Sequence, residues 1–299
     1  MNSSSVSLNT SFLFFSKSFF ELTKARLAIS VVFSSVVGYL LAVDSFDLYT
    51  LILLSIGGYC MVGASNSFNQ IIEKDIDVLM DRTKNRPIPS KKMSVSTAFY
   101  ISIILTLIGI VVLYKINPRT ALFGAISIFI YTCLYTPLKT ITPLSVFVGA
   151  FPGAIPFMLG WVAATNNFGI ESGTLFMIQF FWQFPHFWAI GWLQFEEYKK
   201  AGFNMLPMNT KDKGAVKQII FYTFIMIIVS ITPVLKVSGD FYIYPITAVI
   251  IAVLGVVMLY YALVLHKSEQ NTDARKLMLS SVLYITVVQI IYVVDKFLH

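Results

Sequence analysis

Met61-Val-Gly-Ala-Ser-Asn-Ser-Phe-Asn-Gln-Ile-Ile-Glu-Lys-Asp-Ile-Asp-Val-Leu-Met-Asp-Arg-Thr-Lys-Asn-Arg-Pro-Ile-Pro89 is the stretch on which the reading of this chain turns. An apolar, membrane-length run leads into it, and the sequence then becomes polar and acidic with no turn signal between. One helix is therefore expected to continue through it. At about 100° per residue, Asn66, Asn69, Glu73 and Asp77 fall within an arc of roughly 80° on one face, while Asp75 points away. Two carboxylates a turn apart, on a stripe with two amides, are a set of hard oxygen donors suited to a divalent cation. Pro87 and Pro89 end the helical reading, and Arg82, Lys84 and Arg86 fill the loop before them. A carboxylate stripe beside an arginine cluster suits a metal ion together with a diphosphate. The plainer reading is a helix leaving a membrane into a charged loop, but acids and amides this close to a bilayer usually work.

Composition sets the class. The 299 residues are 57% hydrophobic and only 12% charged, with a mean hydropathy of +0.75. Soluble domains carry about 25% charged residues. The chain is therefore expected to be an all-α integral membrane protein. A transmembrane β-barrel would instead show segments of about 10 residues with alternating polarity. The net charge of +7 is explained by basic loops beside a bilayer and does not call for nucleic acid. Cys60 and Cys133 lie in apolar segments, with neither a metal spacing nor a disulfide framework, and read as small core residues.

Nine apolar stretches are long enough to span: 27–46, 48–70, 95–114, 119–137, 144–164, 172–195, 216–236, 242–266 and 276–296. Residues 1–20 read as a flexible N-terminal tail and 21–299 as one nine-helix domain. With the N-terminus inside, only Lys115, Arg119, Lys236 and Lys296 of the 22 lysines and arginines fall outside. That asymmetry predicts a cytoplasmic N-terminus, an outside C-terminus and a cytoplasmic acidic stripe.

The fifth span holds Gly149, Pro152, Gly153, Pro156 and Gly160, small residues for close helix approach with prolines that imply a kink or break. The short segment before it, from Tyr131 to Pro143, carries a single lysine, Lys139. The sixth span contains His186, the one histidine well inside a predicted span. Glu197 follows three turns later and is expected on the same face. An intramembrane histidine with an acid below it and aromatics around it reads as functional; the alternative is a hydrogen bond to a neighbouring helix. The last three spans carry no comparable signal.

These elements together resemble the UbiA superfamily of intramembrane prenyltransferases, and within it the branch that modifies heme. The resemblance rests on Asn66 to Asp77, Met80-Asp-Arg82 to Arg86-Pro, Tyr135-Thr-Pro-Leu-Lys139, Gly160-Trp161, Pro185-His186-Phe-Trp, the run Glu197 to Pro207 with its Met-Leu-Pro, and the opening Leu22-Thr-Lys24-Ala-Arg26. It covers about residues 20 to 215. Glu73 and Glu197 stand where the family usually has aspartates, and Ala25 where it usually has proline.

The resemblance implies transfer of a farnesyl group from farnesyl diphosphate to a vinyl group of protoheme IX, with addition of water, in a plasma (inner) membrane. It implies Mg2+ held by Asn69, Glu73, Asp77 and Glu197. Asn66, Arg82, Arg86, Lys139 and Glu197 would bind diphosphate, while Tyr135, Phe184, Phe187 and Trp188 would line the prenyl and heme space. His186 would face heme, as an iron ligand or as a base towards water. The lipid bilayer is the standing partner, and a downstream heme-modifying enzyme is a further candidate. Two other readings stand beside this one. Another aromatic prenyltransferase of the family, acting for example on 4-hydroxybenzoate, would lack His186 and Met-Leu-Pro. A heme-carrying scaffold or a transporter would thread polar groups through both bilayer halves, whereas here they cluster on one side.

Overall fold

The computed structural model describes residues 15–299, so most of the expected tail 1–20 lies outside the described residues; residues 15–22 are helical. Nine long helices follow: α1 (Ala25–Ala42), α2 (Leu48–Ile72), α3 (Val95–Ile116), α4 (Pro118–Phe129), α5 (Ser145–Thr165), α6 (Ile170–Leu193), α7 (Lys213–Ile231), α8 (Pro245–Ser268) and α9 (Asn271–Leu298). Among the described residues there is no strand. Eight of these helices, with α4 and α7 counted together with the turns that extend them, are long and apolar enough to cross a membrane. The helix outside that count is α6, whose Glu171, Ser172, Thr174, Gln179, Gln183 and His186 lower the hydropathy of its 24 residues. The chain is an integral multi-pass membrane protein.

Four of the nine helices begin where a side chain takes up a free backbone N–H group. Asp47 accepts from Thr50 N at 2.9 Å to start α2, and Ser94 from Thr97 N at 3.0 Å to start α3. Asn117 and Asp212 do the same for α4 and α7. α4 does not stop at Phe129. It passes through a π-helical turn, Ile130–Tyr135, into Thr136–Leu138, so the segment from Tyr131 stays helical for eight residues. Tyr131 and Tyr135, four residues apart, both reach the central cavity.

Helices α1 to α4 pack on one another in sequence order, as do α6 to α9. α5 sits between the groups against α1, α4 and α6, and is the most buried span. Its small residues explain its position. Gly160 lies against the backbone of Ser35 and Tyr39 in α1, and Gly38 of α1 against Phe157 O, so a Cβ at either would strike backbone. Pro152 and Pro156 are accommodated inside a continuous helix rather than breaking it. The outward faces carry rows of exposed Ile, Val, Leu and Phe, as a lipid-facing surface does. Cys60 is buried, whereas Cys133 is exposed on that outer surface instead of sitting in the core.

Candidate functional site

One cavity of about 850 Å³ opens among α1, α2, α4, α5, α6 and α9. Its charged end is built from the stretch that opened the sequence reading. α2 ends at Ile72, and Glu73 leaves helical geometry at φ −90°, ψ 10° before the short turn Lys74–Asp77. The expected unbroken helix is thus interrupted at Glu73. The break is shallow, since Asp77 N still donates to Glu73 O at 2.7 Å, and Asn66, Asn69, Glu73 and Asp77 all line the cavity. Asp75 points away, 86% exposed and paired with Lys74.

Each cavity carboxylate has a cation. Lys139 Nζ donates to Glu73 Oε1 at 2.7 Å, both side chains being nearly enclosed. The same ammonium lies 4.5 Å from the Tyr135 ring centre and 5.6 Å from that of Phe203. Arg86 donates through one nitrogen to both oxygens of Asp77, at 2.9 and 2.7 Å. Burial pushes the Asp77 carboxyl above its ordinary range although Arg86 pulls the other way. Asn69 Nδ2 donates to Thr136 Oγ1, and Asn66 Nδ2 to the Thr23 carbonyl. Arg82 lines the cavity and donates to Tyr198 Oη at 3.3 Å.

Lys24 and Arg26 complete this end of the cavity. In the sequence they stand only as part of a family-like opening, with no role attached. Lys24 sits in a left-handed conformation, φ 49°, immediately before α1. Burial, then the neighbouring positive charges of Arg86 and Lys139, lower its ammonium to about 7. Five basic side chains face two carboxylates here, so the cavity end is a net cationic receptor.

Glu197 does not join it. α6 stops at Leu193, Gln194 turns at φ −100°, ψ 14°, and Glu197 sits on a separate short helix, Phe195–Lys200. The shared face expected with His186 is lost at that break. Glu197 accepts from Lys200 Nζ at 2.6 Å and from Asp81 N at 2.7 Å, outside the cavity lining. These bonds hold its carboxyl below the ordinary range. Among the described residues, no three His, Cys, Asp or Glu side chains converge on a point. The remaining oxygen set is Asn69, Glu73 and Asp77. It fits a hard cation that uses one or two carboxylates and takes its other ligands from water and phosphate.

Below the charges the wall becomes aromatic and amide-bearing. Tyr131, Tyr135, Trp182, Gln183, His186 and Phe187 line it. Phe184 and Trp188, expected there, are not in the lining. They stand two residues from His186 and so point to the far side of α6. There they pack on Tyr222 of α7, at 4.4 and 5.1 Å between ring centres. The last spans are not silent either: Gln289 of α9 lines the cavity and donates to Gln179 at 3.1 Å, while Ser281 of α9 bonds His186. Gln179, Gln183 and His186, spaced four and three apart in an apolar span, were the sequence signal for a polar cavity face.

A profile of the UbiA prenyltransferase family matches residues 31–285. The chain is 64% identical over 284 residues to the protoheme IX farnesyltransferase of Flavobacterium psychrophilum, covering 94% of this chain and 95% of that protein. In fold it is similar to the chain solved in work on digeranylgeranylglyceryl phosphate synthase, with a TM-score of 0.78 at 21% identity over 95% of this chain and 99% of that one. It is also similar to a UbiA homolog from Archaeoglobus fulgidus bound to DMAPP and Mg2+, with a TM-score of 0.70 at 16% identity over 92% of this chain and 99% of that one.

Proposed function

The chain belongs to the UbiA prenyltransferase family, and we propose that its cavity transfers a farnesyl group from farnesyl diphosphate to a vinyl group of protoheme IX, with addition of water, giving heme O and diphosphate. The observation that carries the reading is a single cavity with a cationic end and an aromatic, amide-lined body that holds one imidazole.

Cleaving the allylic C–O bond leaves negative charge on diphosphate and positive charge on the prenyl chain. Arg82, Arg86, Lys139 and Lys24 bind the diphosphate oxygens, the arginines through planar forks and the lysines as point charges. Asn66 and Asn69 add amide contacts. Asn69, Glu73 and Asp77 would hold a Mg2+ ion, which when bound supplies further positive charge to the leaving group. Tyr131, Tyr135 and Phe187 present π faces to the allyl cation and keep bulk water from it. The vinyl π pair then forms the new C–C bond to the farnesyl chain. The resulting cation, beside the macrocycle, takes a water oxygen and releases a proton. His186 faces the heme.

The lysine and arginine distribution supports a cytoplasmic N-terminus and a charged cavity end that opens to the cytoplasm from a plasma (inner) membrane. Residues 21–299 act as one membrane domain. The test is a side-by-side assay of purified protein with protoheme or 4-hydroxybenzoate as acceptor. Turnover with protoheme alone is expected; turnover with the phenol alone would overturn the heme assignment.

A further inference from the structure

Trp182 and His186 stand one turn apart on α6 with their rings stacked, the centres 4.5 Å apart and the planes 17° apart. Both reach the same residue of α9, the fully buried Ser281. Trp182 Nε1 donates to the Ser281 carbonyl at 2.7 Å, and His186 Nδ1 lies 2.8 Å from Ser281 Oγ. Ser281 Oγ also donates to the Met278 carbonyl at 2.7 Å.

A hydroxyl has one proton, and a carbonyl can only accept. With that proton on Met278 O, Ser281 Oγ is left to accept from His186, so the imidazole carries its proton on Nδ1. The reverse arrangement, with serine donating to Nδ1, gives up the bond to Met278 and makes one hydrogen bond where the first makes two. Nε2 has no hydrogen-bond partner among the described residues, and His186 lines the cavity. Gln183, one turn earlier and 3% exposed, lines it too, and its amide is likewise unpartnered among the described residues.

We infer that Ser281 is a positioning residue. It fixes His186 as the Nδ1–H tautomer, so that the Nε2 lone pair, together with the Gln183 amide, holds the water that becomes the hydroxyl of the product. The identity of that water rests on the reaction proposed above; the tautomer rests on geometry alone.

The step balances. After the vinyl π pair has bonded to the farnesyl carbon, the water oxygen gives a lone pair to the cationic carbon beside the macrocycle. One water proton passes to Nε2, and the imidazolium keeps its Nδ1–H on Ser281. The opposite tautomer would aim a proton at the cation and could not accept one.

The test uses the full chain, labelled with 15N-histidine in lipid nanodiscs. There are three histidines, and His186→Ala identifies the resonance. Long-range 1H–15N correlations should show His186 as the Nδ1–H tautomer in the wild type, a mixture in Ser281→Ala, and the Nδ1–H form again in Ser281→Thr, which keeps the hydroxyl. A wild-type Nε2–H tautomer overturns the inference even if no variant folds. Ser281→Ala should also lose about tenfold in kcat, part of what a general base supplies. Its KM for farnesyl diphosphate should be unchanged, and Ser281→Thr should restore kcat. Full kcat in Ser281→Ala overturns the positioning role. A heme Soret band that shifts in His186→Ala would place Nε2 on iron and overturn the water assignment. A preparation with the Nδ1–H tautomer but no heme product would refute the proposed reaction while leaving the tautomer assignment intact.

Discussion

Asp77→Asn removes one charge and almost no volume, and its two consequences differ in size. Asp77 is fully enclosed and takes two hydrogen bonds from one nitrogen of Arg86, which keeps 20% of its side-chain exposure. Removing one partner of a fully buried pair costs about 3–5 kcal/mol. Here Arg86 faces a cavity, asparagine Oδ1 still accepts one bond, and burial already disfavours the charged carboxyl. The folding cost should therefore shrink to about 1.5–3 kcal/mol, the size of one lost charge-assisted hydrogen bond. The catalytic cost is larger, because withdrawing one preorganised electrostatic contact lowers kcat roughly a hundred- to a thousandfold. The assay is farnesyl transfer to protoheme per folded molecule, with thermal unfolding measured alongside. Arg86→Gln and the double variant separate two roles for Asp77. If Asp77 also acts on metal and diphosphate, the double variant should be about tenfold worse than Arg86→Gln alone. Wild-type activity in Asp77→Asn, or a double variant no worse than Arg86→Gln, would refute that reasoning.

If Lys24 binds diphosphate as proposed, that binding should depend on pH. With its ammonium at about 7, it is charged below that pH and neutral above it. Bound diphosphate should raise that value, so binding takes up a proton between about 7 and the ordinary 10.5 of lysine. Affinity should fall as pH rises from 6 to 8, and Lys24→Gln should flatten the profile in calorimetry; an unchanged profile would contradict this. Phe184 and Phe187 should part company. Phe184→Ala opens a hole in the α6–α7 core and should cost about 3–5 kcal/mol of stability with normal turnover per folded molecule. Phe187→Ala, at a half-buried cavity position, should cost less stability than Phe184→Ala and slow turnover.

The spacing of Asn66, Asn69, Glu73 and Asp77 was legible because a helix face repeats every 3.6 residues, and a single off-helix residue at Glu73 does not spoil it. Glu197 was misread by the same arithmetic, since nothing in Leu193-Gln194-Phe195 announces that α6 ends there. Phe184 and Trp188 were within reach of that arithmetic: 200° from His186, they had to face the other way. Lys24 was not legible, because its place in the cavity depends on a left-handed turn and on how α1 meets α2. Ser281 looks like any serine in an apolar span until α9 is packed on α6. The π turn in α4 is not announced by Ile130-Tyr131-Thr132, and Tyr131 and Tyr135, four apart, both reach the cavity wall.

The central claim is tested most directly by mass spectrometry of the product formed by nanodisc-embedded protein from protoheme, farnesyl diphosphate and Mg2+ in H218O. A heme carrying one farnesyl group and one 18O-labelled hydroxyl, absent with chelator and restored by added Mg2+, is the expected result. Unmodified protoheme, or a farnesylated heme without the label, would contradict it.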